Sequence, residues 1–180
     1  AIQAIKDNYS HYTPVPGYLD LREAVCTKLK RDNNLDYKPE NIVTSTGAKQ
    51  SLANVILAIV DEGEEVLIPT PYWVTYSELV KIARGKVVEI HAPLENGFKI
   101  TPEQLEAAIT EKTKLFMFSS PCNPSGAVYS KSELQGLAEV FRKYPNIYII
   151  ADEIYEYINF VGKHESIAQF DDLKDRVIVI

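Results

Sequence analysis

The sequence predicts an α/β protein, a three-layer α-β-α sandwich built on a mostly parallel sheet. Short, continuously apolar segments alternate along the chain with segments whose apolar residues recur every three or four positions. The apolar segments are typical of parallel strands that are covered by helices on both faces. A length of 180 residues with 46% hydrophobic residues suits one ordinary globular domain with a sizeable core.

The first elements follow from spacing and from short apolar runs. Leu21, Val25 and Leu29 lie four residues apart, which predicts an amphipathic helix over residues 19–29. Residues 41–45 (NIVTS) then predict a short strand that leads directly into a helix start at Gly47.

The middle of the chain repeats this alternation. The apolar stripe over residues 52–59 predicts a helix, and residues 65–68 predict a buried strand. A helix is expected to open at Pro71 and run to Ala83, and residues 86–90 predict the next strand.

The last part of the chain contains three more apolar runs. A helix start with proline in its first turn is predicted at residues 101–103. The apolar runs 115–118, 147–151 and 177–180 predict strands, and the stripe over 134–141 predicts the helix between the first two of them.

Charge and composition exclude several classes of function. The chain has 25 acidic and 19 basic side chains, a net charge of -6, which leaves no basic surface for nucleic acid or an anionic membrane. No apolar run approaches the roughly 20 residues that cross a bilayer, and the first residues lack the pattern of a secretory signal. We therefore expect a cytoplasmic protein. The first residue is not Met, which indicates a chain that begins inside a longer protein.

The cysteines and histidines do not suggest a disulfide framework or a metal site. Cys26 and Cys122 are expected to be free thiols, because two cysteines are too few for a disulfide framework and lack metal-ligand spacing. His11, His91 and His164 are scattered and form no paired motif. We expect no catalytic metal.

Ligands of parallel α/β sheets bind beyond the carboxyl ends of the strands, so the residues that follow each predicted strand are the candidates. Gly47 lies at a helix start that could bind a phosphate, or could form a plain turn. Trp73, the only tryptophan, could stack on a planar ring or pack in the core. The proline-rich loop around Asn123 could fix its amide at the sheet edge, or could be structural.

Asp152 carries the strongest functional signal of the strand ends. It ends an apolar strand, where a carboxylate is costly unless it has a partner. A nucleotide triphosphatase would need a G-x-x-x-x-G-K-[ST] loop and a dinucleotide-binding fold a G-x-G-x-x-G loop, and both are absent. The candidate residues suit pyridoxal phosphate instead, whose phosphate needs a helix start and whose ring nitrogen, when protonated, needs a carboxylate.

Five motifs in a fixed order resemble the class I pyridoxal phosphate-dependent aminotransferases of the aspartate aminotransferase fold, and the bacterial aspartate aminotransferases most closely. They are YTPVPG at 12–17 followed by Leu21 and Arg22, TGAKQ at 46–50, PYW at 71–73, NPSG at 123–126 and DEIY at 152–155. The resemblance runs from about Tyr12 to Ile180 and covers under half of a full-length family member.

The resemblance implies that Gly47, Ala48 and Lys49 bind the cofactor phosphate, mainly through backbone groups. Trp73 resembles the aromatic residue that stacks on the pyridine ring.

Asn123 and Tyr155 resemble the pair that hydrogen-bonds the phenolic oxygen of the cofactor, and Asp152 resembles the partner of the ring nitrogen. Trp73 and Asn123 would also contact the substrate. Tyr12 resembles a tyrosine that reaches the cofactor phosphate of the neighbouring subunit, which implies a homodimer of the full-length protein.

The family's cofactor-binding lysine has no counterpart in these residues. It lies in a Ser-x-x-Lys segment that would follow Ile180, and neither Lys49 nor Lys163 stands at its position. We therefore expect residues 1–17 to be an N-terminal segment, 18–180 to be part of the cofactor domain, and the 180-residue chain to be inactive by itself.

The resemblance implies transfer of an amino group between an amino acid, with aspartate expected, and a 2-oxo acid. Three alternatives stay open. The full-length protein could catalyse β-elimination, or transaminate aromatic or branched-chain amino acids, on the same fold. The chain could also be a binding module without catalysis.

Overall fold

The computed structural model describes residues 1–180, which form two compact units, Ala1–Ser45 and Thr46–Ile180. Each unit has its own secondary structure and is described by itself. The sequence predicts a boundary between residues 17 and 18, which differs from the boundary between these two compact units. The assignment of residues 18–180 to a cofactor domain stays a prediction.

The first unit contains two helices, α1 (Ile2–Lys6) and α2 (Leu19–Asn33). The predicted helix over 19–29 is confirmed and extends one turn further. It ends where Asn34 adopts the left-handed conformation, with a φ of 56°, that commonly stops a helix.

The predicted strand over 41–45 is wrong. Pro39–Asn41 forms a 3-10 turn, and the following residues belong to no sheet. The backbone N–H of Thr44 donates to the carbonyl oxygen of Pro16 at 3.0 Å, so a contact with a distant part of the same unit takes a hydrogen bond that a strand would use. Gly17, with a φ of +95°, permits this approach, because a Cβ there would overlap the Thr44 hydroxyl.

The second unit is a five-stranded sheet in the order β2-β1-β3-β4-β5, and every neighbouring pair is parallel. Its strands are β1 (Glu65–Thr70), β2 (Lys86–His91), β3 (Thr113–Ser119), β4 (Tyr148–Asp152) and β5 (Val177–Val179). Its helices are α3 (Ala48–Ile59), α4 (Thr75–Ile82), α5 (Pro102–Ala108) and α6 (Lys131–Lys143). None of the helices combines the length and the apolar character that a membrane crossing requires.

Helices cover both faces of this sheet. Alternate strand residues point to opposite faces, and Ile68 and Met117 pack with Leu52 of α3 on one face. On the other face, the ring of Phe116 lies 5.3 Å from that of Phe141 in α6. The predicted three-layer α/β sandwich with a parallel sheet is thus confirmed.

The remaining predicted elements are present, with one shifted boundary. The helix expected from Pro71 begins only at Thr75, because Pro71 and the next residues form the loop after β1. Tyr76 N donates to Trp73 O at 2.9 Å as the chain turns into α4. Trp73 therefore lies in the loop before the helix, at the carboxyl end of β1.

Replacing Ser130 with alanine is expected to lower the free energy of unfolding by about 1 kcal/mol. The Ser130 hydroxyl accepts a hydrogen bond from Glu133 N at 3.3 Å, and the Glu133 carboxylate accepts one from Ser130 N at 2.8 Å, which caps α6. Urea unfolding measures the change. Lys131→Ala, at the exposed first position of α6, is the control and should change stability little; equal losses in both variants would contradict this role of the cap.

Candidate active site

The carboxyl ends of β1, β3 and β4 meet at one edge of the sheet. Ser119 and Asp152 are register partners at the ends of β3 and β4. Beyond them, Ser120 N donates to the backbone oxygen of Asp152 at 3.2 Å. Residues that follow different strands are thus neighbours, as expected for a ligand site of this class of fold.

Asp152 is a buried carboxylate, only 4% exposed, that no basic side chain neutralises. Its Oδ2 accepts a 2.5 Å hydrogen bond from the Tyr76 hydroxyl, and its Oδ1 accepts one from Ile154 N at 3.3 Å. Burial raises the pKa of Asp152, and the hydrogen bond from Tyr76 opposes this rise. A buried carboxylate held by two donors and no cation is suited to a cationic group of a ligand.

Tyr76 is the contact that the sequence reasoning missed. It is 1% exposed, and burial followed by the charge of Asp152 raises its pKa far above the usual value, so the phenol keeps its proton. Its ring lies edge-to-face with Trp73 at 5.9 Å and nearly parallel to Tyr72 at 6.5 Å. In the sequence, Tyr76 is marked only by its position three residues after Trp73. That spacing suits a residue of the core as well as a residue of the site.

Trp73 connects this carboxylate to the start of α3. It is half-buried, and the Lys49 ammonium lies 4.7 Å from the centroid of its ring, within range of a cation–π interaction.

Helix α3 starts at Ala48 with an open approach. Gly47 precedes the helix with a φ of +92°, and no atom lies within 4 Å of where its Cβ would be. The first N–H groups of any α-helix lack carbonyl partners within the helix, and its dipole favours an anion there. Gly47, Ala48 and Lys49 thus present backbone donors to open space.

Asn123 lies, partly buried, in the loop between β3 and α6. Hydrogen bonds between Cys122 and Ala127, 2.9 Å, and between Gly126 and Cys122, 2.7 Å, close this loop into a tight turn. The Cys122 thiol lies 3.5 Å from the carbonyl oxygen of Pro71, next to Trp73. The loops after β1 and β3 are therefore in contact.

Tyr155 lies in the turn after β4 and is partly buried. No hydrogen bond joins its hydroxyl to Asn123, so the expected pair is not linked directly. The carboxylate of Glu153, also buried, accepts a hydrogen bond from His164 Nε2 at 2.9 Å, which ties this turn to the later chain. His164 has no local sequence signal for this contact, because its partner lies eleven residues earlier in the chain.

Tyr12 belongs to the other unit and is fully exposed. Its expected role at the cofactor phosphate of a neighbouring subunit stays a prediction.

The second unit thus contains an unbroken series of contacts from Lys49 through Trp73 and Tyr76 to Asp152. One end offers backbone donors and a cation for a phosphate, the middle an aromatic face, and the other end a carboxylate. The donor set fits a planar, phosphorylated heterocycle with a protonated ring nitrogen, as in pyridoxal phosphate. The parallel sheet and this strand-end site define an α/β protein with a candidate site for such a cofactor.

Residues 1–180 match the family described as aminotransferase class I and II, and the chain belongs to that family. The aspartate aminotransferases of the family use pyridoxal phosphate.

Individual relatives agree with this assignment. The aspartate/prephenate aminotransferase of Nitrosomonas europaea is 47% identical over the whole chain. The crystal structure of an aspartate aminotransferase from Rhizobium meliloti superimposes with a TM-score of 0.94 over 98% of the chain, at 40% identity. An aromatic aminotransferase from Pyrococcus horikoshii superimposes with a TM-score of 0.91 over 99% of the chain, at 37% identity. The chain covers 46%, 44% and 48% of these three proteins, respectively.

Proposed function

We propose that the full-length protein that contains this chain transfers the amino group of aspartate to a 2-oxo acid, with pyridoxal phosphate as cofactor. The observation that carries the proposal is the buried Asp152 carboxylate, which has no cation and is linked through Tyr76 and Trp73 to a helix start suited to phosphate. Aspartate as donor is supported by the names of the relatives.

The phosphate and the ring of the cofactor would be held by different groups. The backbone at Gly47, Ala48 and Lys49 would bind its phosphate, and the half-buried Trp73 would cover one face of its ring. When bound, pyridoxal phosphate supplies an electron-withdrawing ring that stabilises negative charge at the amino acid's α-carbon.

Asp152 would keep the ring nitrogen protonated. A carboxylate favours the charged form of a nearby base, and the burial of Asp152 strengthens that interaction by excluding water. The ring nitrogen attracts electrons far better with its proton than without it. The Asp152 side chain therefore holds a proton at the atom where the chemistry needs it.

Asn123 and Tyr155 would donate hydrogen bonds to the phenolic oxygen of the cofactor, and Trp73 and Asn123 would also contact the substrate. The support is their position, since both Asn123 and Tyr155 lie in turns that directly follow β3 and β4 and have no side-chain hydrogen bond within the chain. The proposal includes a homodimer in which the exposed Tyr12 reaches the partner's cofactor phosphate, and a cytoplasmic location.

Titration with pyridoxal phosphate is expected to quench the fluorescence of Trp73 in a saturable way. In the 180-residue chain, on which the titration is made, Trp73 is the only tryptophan, so any change reports this site. Pyridoxine, which lacks both the phosphate and the aldehyde, is the control ligand and should quench weakly. An unchanged signal across the titration would contradict cofactor binding at Trp73.

Substrate choice is tested on the full-length protein with a panel of aspartate, aromatic and branched-chain amino acids and 2-oxoglutarate. We expect glutamate to form fastest from aspartate, and we expect the 180-residue chain alone to show no turnover. Faster reaction with aromatic amino acids would favour the activity named for the Pyrococcus horikoshii relative. Release of ammonia and pyruvate would indicate β-elimination instead.

A further inference from the structure

We propose that Tyr76 is a positioning residue for the cofactor: its phenol fixes the Asp152 carboxylate and keeps it ionised, ready for a protonated ring nitrogen. This inference rests on the proposed function and assigns to the site a residue that is not expected to touch the cofactor's reacting atoms.

The hydroxyl of Tyr76 donates a hydrogen bond to Asp152. Its side chain is 1% exposed, and its hydroxyl lies 2.5 Å from Asp152 Oδ2, a distance typical of a strong hydrogen bond to a charged oxygen. A buried phenol without an acceptor would be destabilising, and a buried carboxylate without donors would be too. Each group therefore satisfies the other.

The contact also fixes the direction of the carboxylate. Oδ2 is held by Tyr76 from α4, and Oδ1 has only the longer 3.3 Å contact from Ile154 N. Oδ1 retains capacity for a stronger donor, because a carboxylate oxygen accepts more than one hydrogen bond. Two fixed contacts on different oxygens leave the carboxylate little freedom to rotate.

Ionisation of Asp152 depends on the same bond. Burial raises the pKa of Asp152, and Tyr76 supplies the larger of the two contributions that lower it. Two other titratable groups nearby, Glu153 and Cys122, do not hydrogen-bond to the Asp152 carboxylate. Glu153 pairs with His164, and Cys122 faces Tyr76 from the loop after β3. The Tyr76 phenol is thus the side chain that most favours the charged form.

The aromatic contacts of Tyr76 place it between the two ends of the site. Trp73 packs against its ring at 5.9 Å, so the residue that would cover the cofactor ring and the residue that orients the carboxylate support each other. A phenylalanine would keep the ring contacts and remove only the hydroxyl.

The test uses the full-length protein with Tyr76→Phe. Removing the donor raises the pKa of Asp152, so a neutral carboxyl forms at higher pH and the ion pair with the ring nitrogen is lost sooner on acidification. We expect the acid limb of the pH profile of pyridoxal phosphate affinity, read from the absorbance of the bound cofactor, to move up by about one pH unit. Below that limb we expect about tenfold weaker binding than in the wild type.

Tyr72→Phe is the matched control. Tyr72 lies nearly parallel to Tyr76, but its hydroxyl donates to Glu89 at 2.6 Å instead. Its removal should leave the acid limb in place. If the limb moves equally in both variants, or in neither, the inference is overturned.

A second measurement decides the matter if Tyr76→Phe fails to fold. Replacing Tyr76 by 3-fluorotyrosine leaves its size nearly unchanged and makes the phenol a stronger donor, so the acid limb should move to lower pH. An unmoved limb would overturn the inference even if the wild-type protein binds the cofactor well. Absence of binding by the wild-type protein would instead overturn the proposed function, and this inference with it.

Discussion

Asp152→Ala in the full-length protein is expected to lower transaminase turnover by about two to three orders of magnitude, the scale seen when one preorganised electrostatic group is removed from an active site. Without the carboxylate, this site would have no side chain to hold a proton on the ring nitrogen at neutral pH, and a bound cofactor would withdraw electrons poorly. Cofactor affinity should fall as well, because a charge-assisted hydrogen bond is lost. Steady-state kinetics measure the turnover, and equilibrium titration followed by the absorbance of the bound cofactor measures the affinity.

Asp152→Asn separates this loss from a packing defect, since the amide has the same shape. It should lose activity almost as strongly as the alanine variant. Asp171→Asn, at an exposed position, is the control and should behave like the wild type. An Asp152→Asn variant with more than about a tenth of wild-type turnover would contradict the assigned role.

Asp152→Asn, which should lower turnover, is expected to increase the thermal stability of the cofactor-free protein. Because burial raises the pKa of Asp152, the charged carboxylate is less favourable in the folded state than in the unfolded chain. The contribution of this group to stability is therefore present at low pH and is lost as pH rises through the folded-state pKa. Asp152→Asn should therefore raise the midpoint of thermal unfolding at pH 7 and leave it unchanged near pH 3. A lower midpoint at pH 7 would identify Asp152 as a structural residue.

Gly47→Val is expected to weaken the binding of pyridoxal phosphate by about 100-fold, equivalent to the loss of one or two hydrogen bonds to a charged group. A side chain at this position would enter the open space in front of the α3 amides. Binding of pyridoxal, which lacks the phosphate, should change little. Equilibrium titration with both ligands measures the difference.

The backbone strain of this substitution needs its own control. Gly63 also has a positive φ, +83°, with open space at its Cβ position, but it lies in the turn before β1. Gly63→Val should cost similar stability and leave cofactor affinity intact. Equal weakening by both variants would show that Gly47 acts through the fold and not on the phosphate.

Most of the sheet could be predicted because its strands are continuously apolar. The runs that contain Ile68, Met117 and Ile150 are buried on both faces, so each is recognisable without its neighbours. Residues 41–45 also contain apolar residues and were therefore predicted to form a strand. They do not, because Thr44 hydrogen-bonds to Pro16, 28 residues earlier, and no local pattern reveals that contact. The start of α4 was misplaced for a similar reason, because Pro71 can open a helix or a loop.

The candidate site was predictable where residue type and position carry the chemistry. Asp152 ends an apolar strand, and Gly47 precedes a helix, so each can be recognised from the sequence alone. The bond between Tyr76 and Asp152 joins residues 76 positions apart and depends on the order of β1, β3 and β4 in the sheet. Tertiary contacts of that kind could only be found in the structure.

The most direct test of the proposed site is a crystal structure of the full-length protein grown with pyridoxal phosphate. The account predicts the phosphate at the amides of residues 47–49, the ring against Trp73, and the ring nitrogen about 3 Å from an oxygen of Asp152. A cofactor bound with its ring nitrogen away from Asp152, or with its phosphate away from the start of α3, would contradict it.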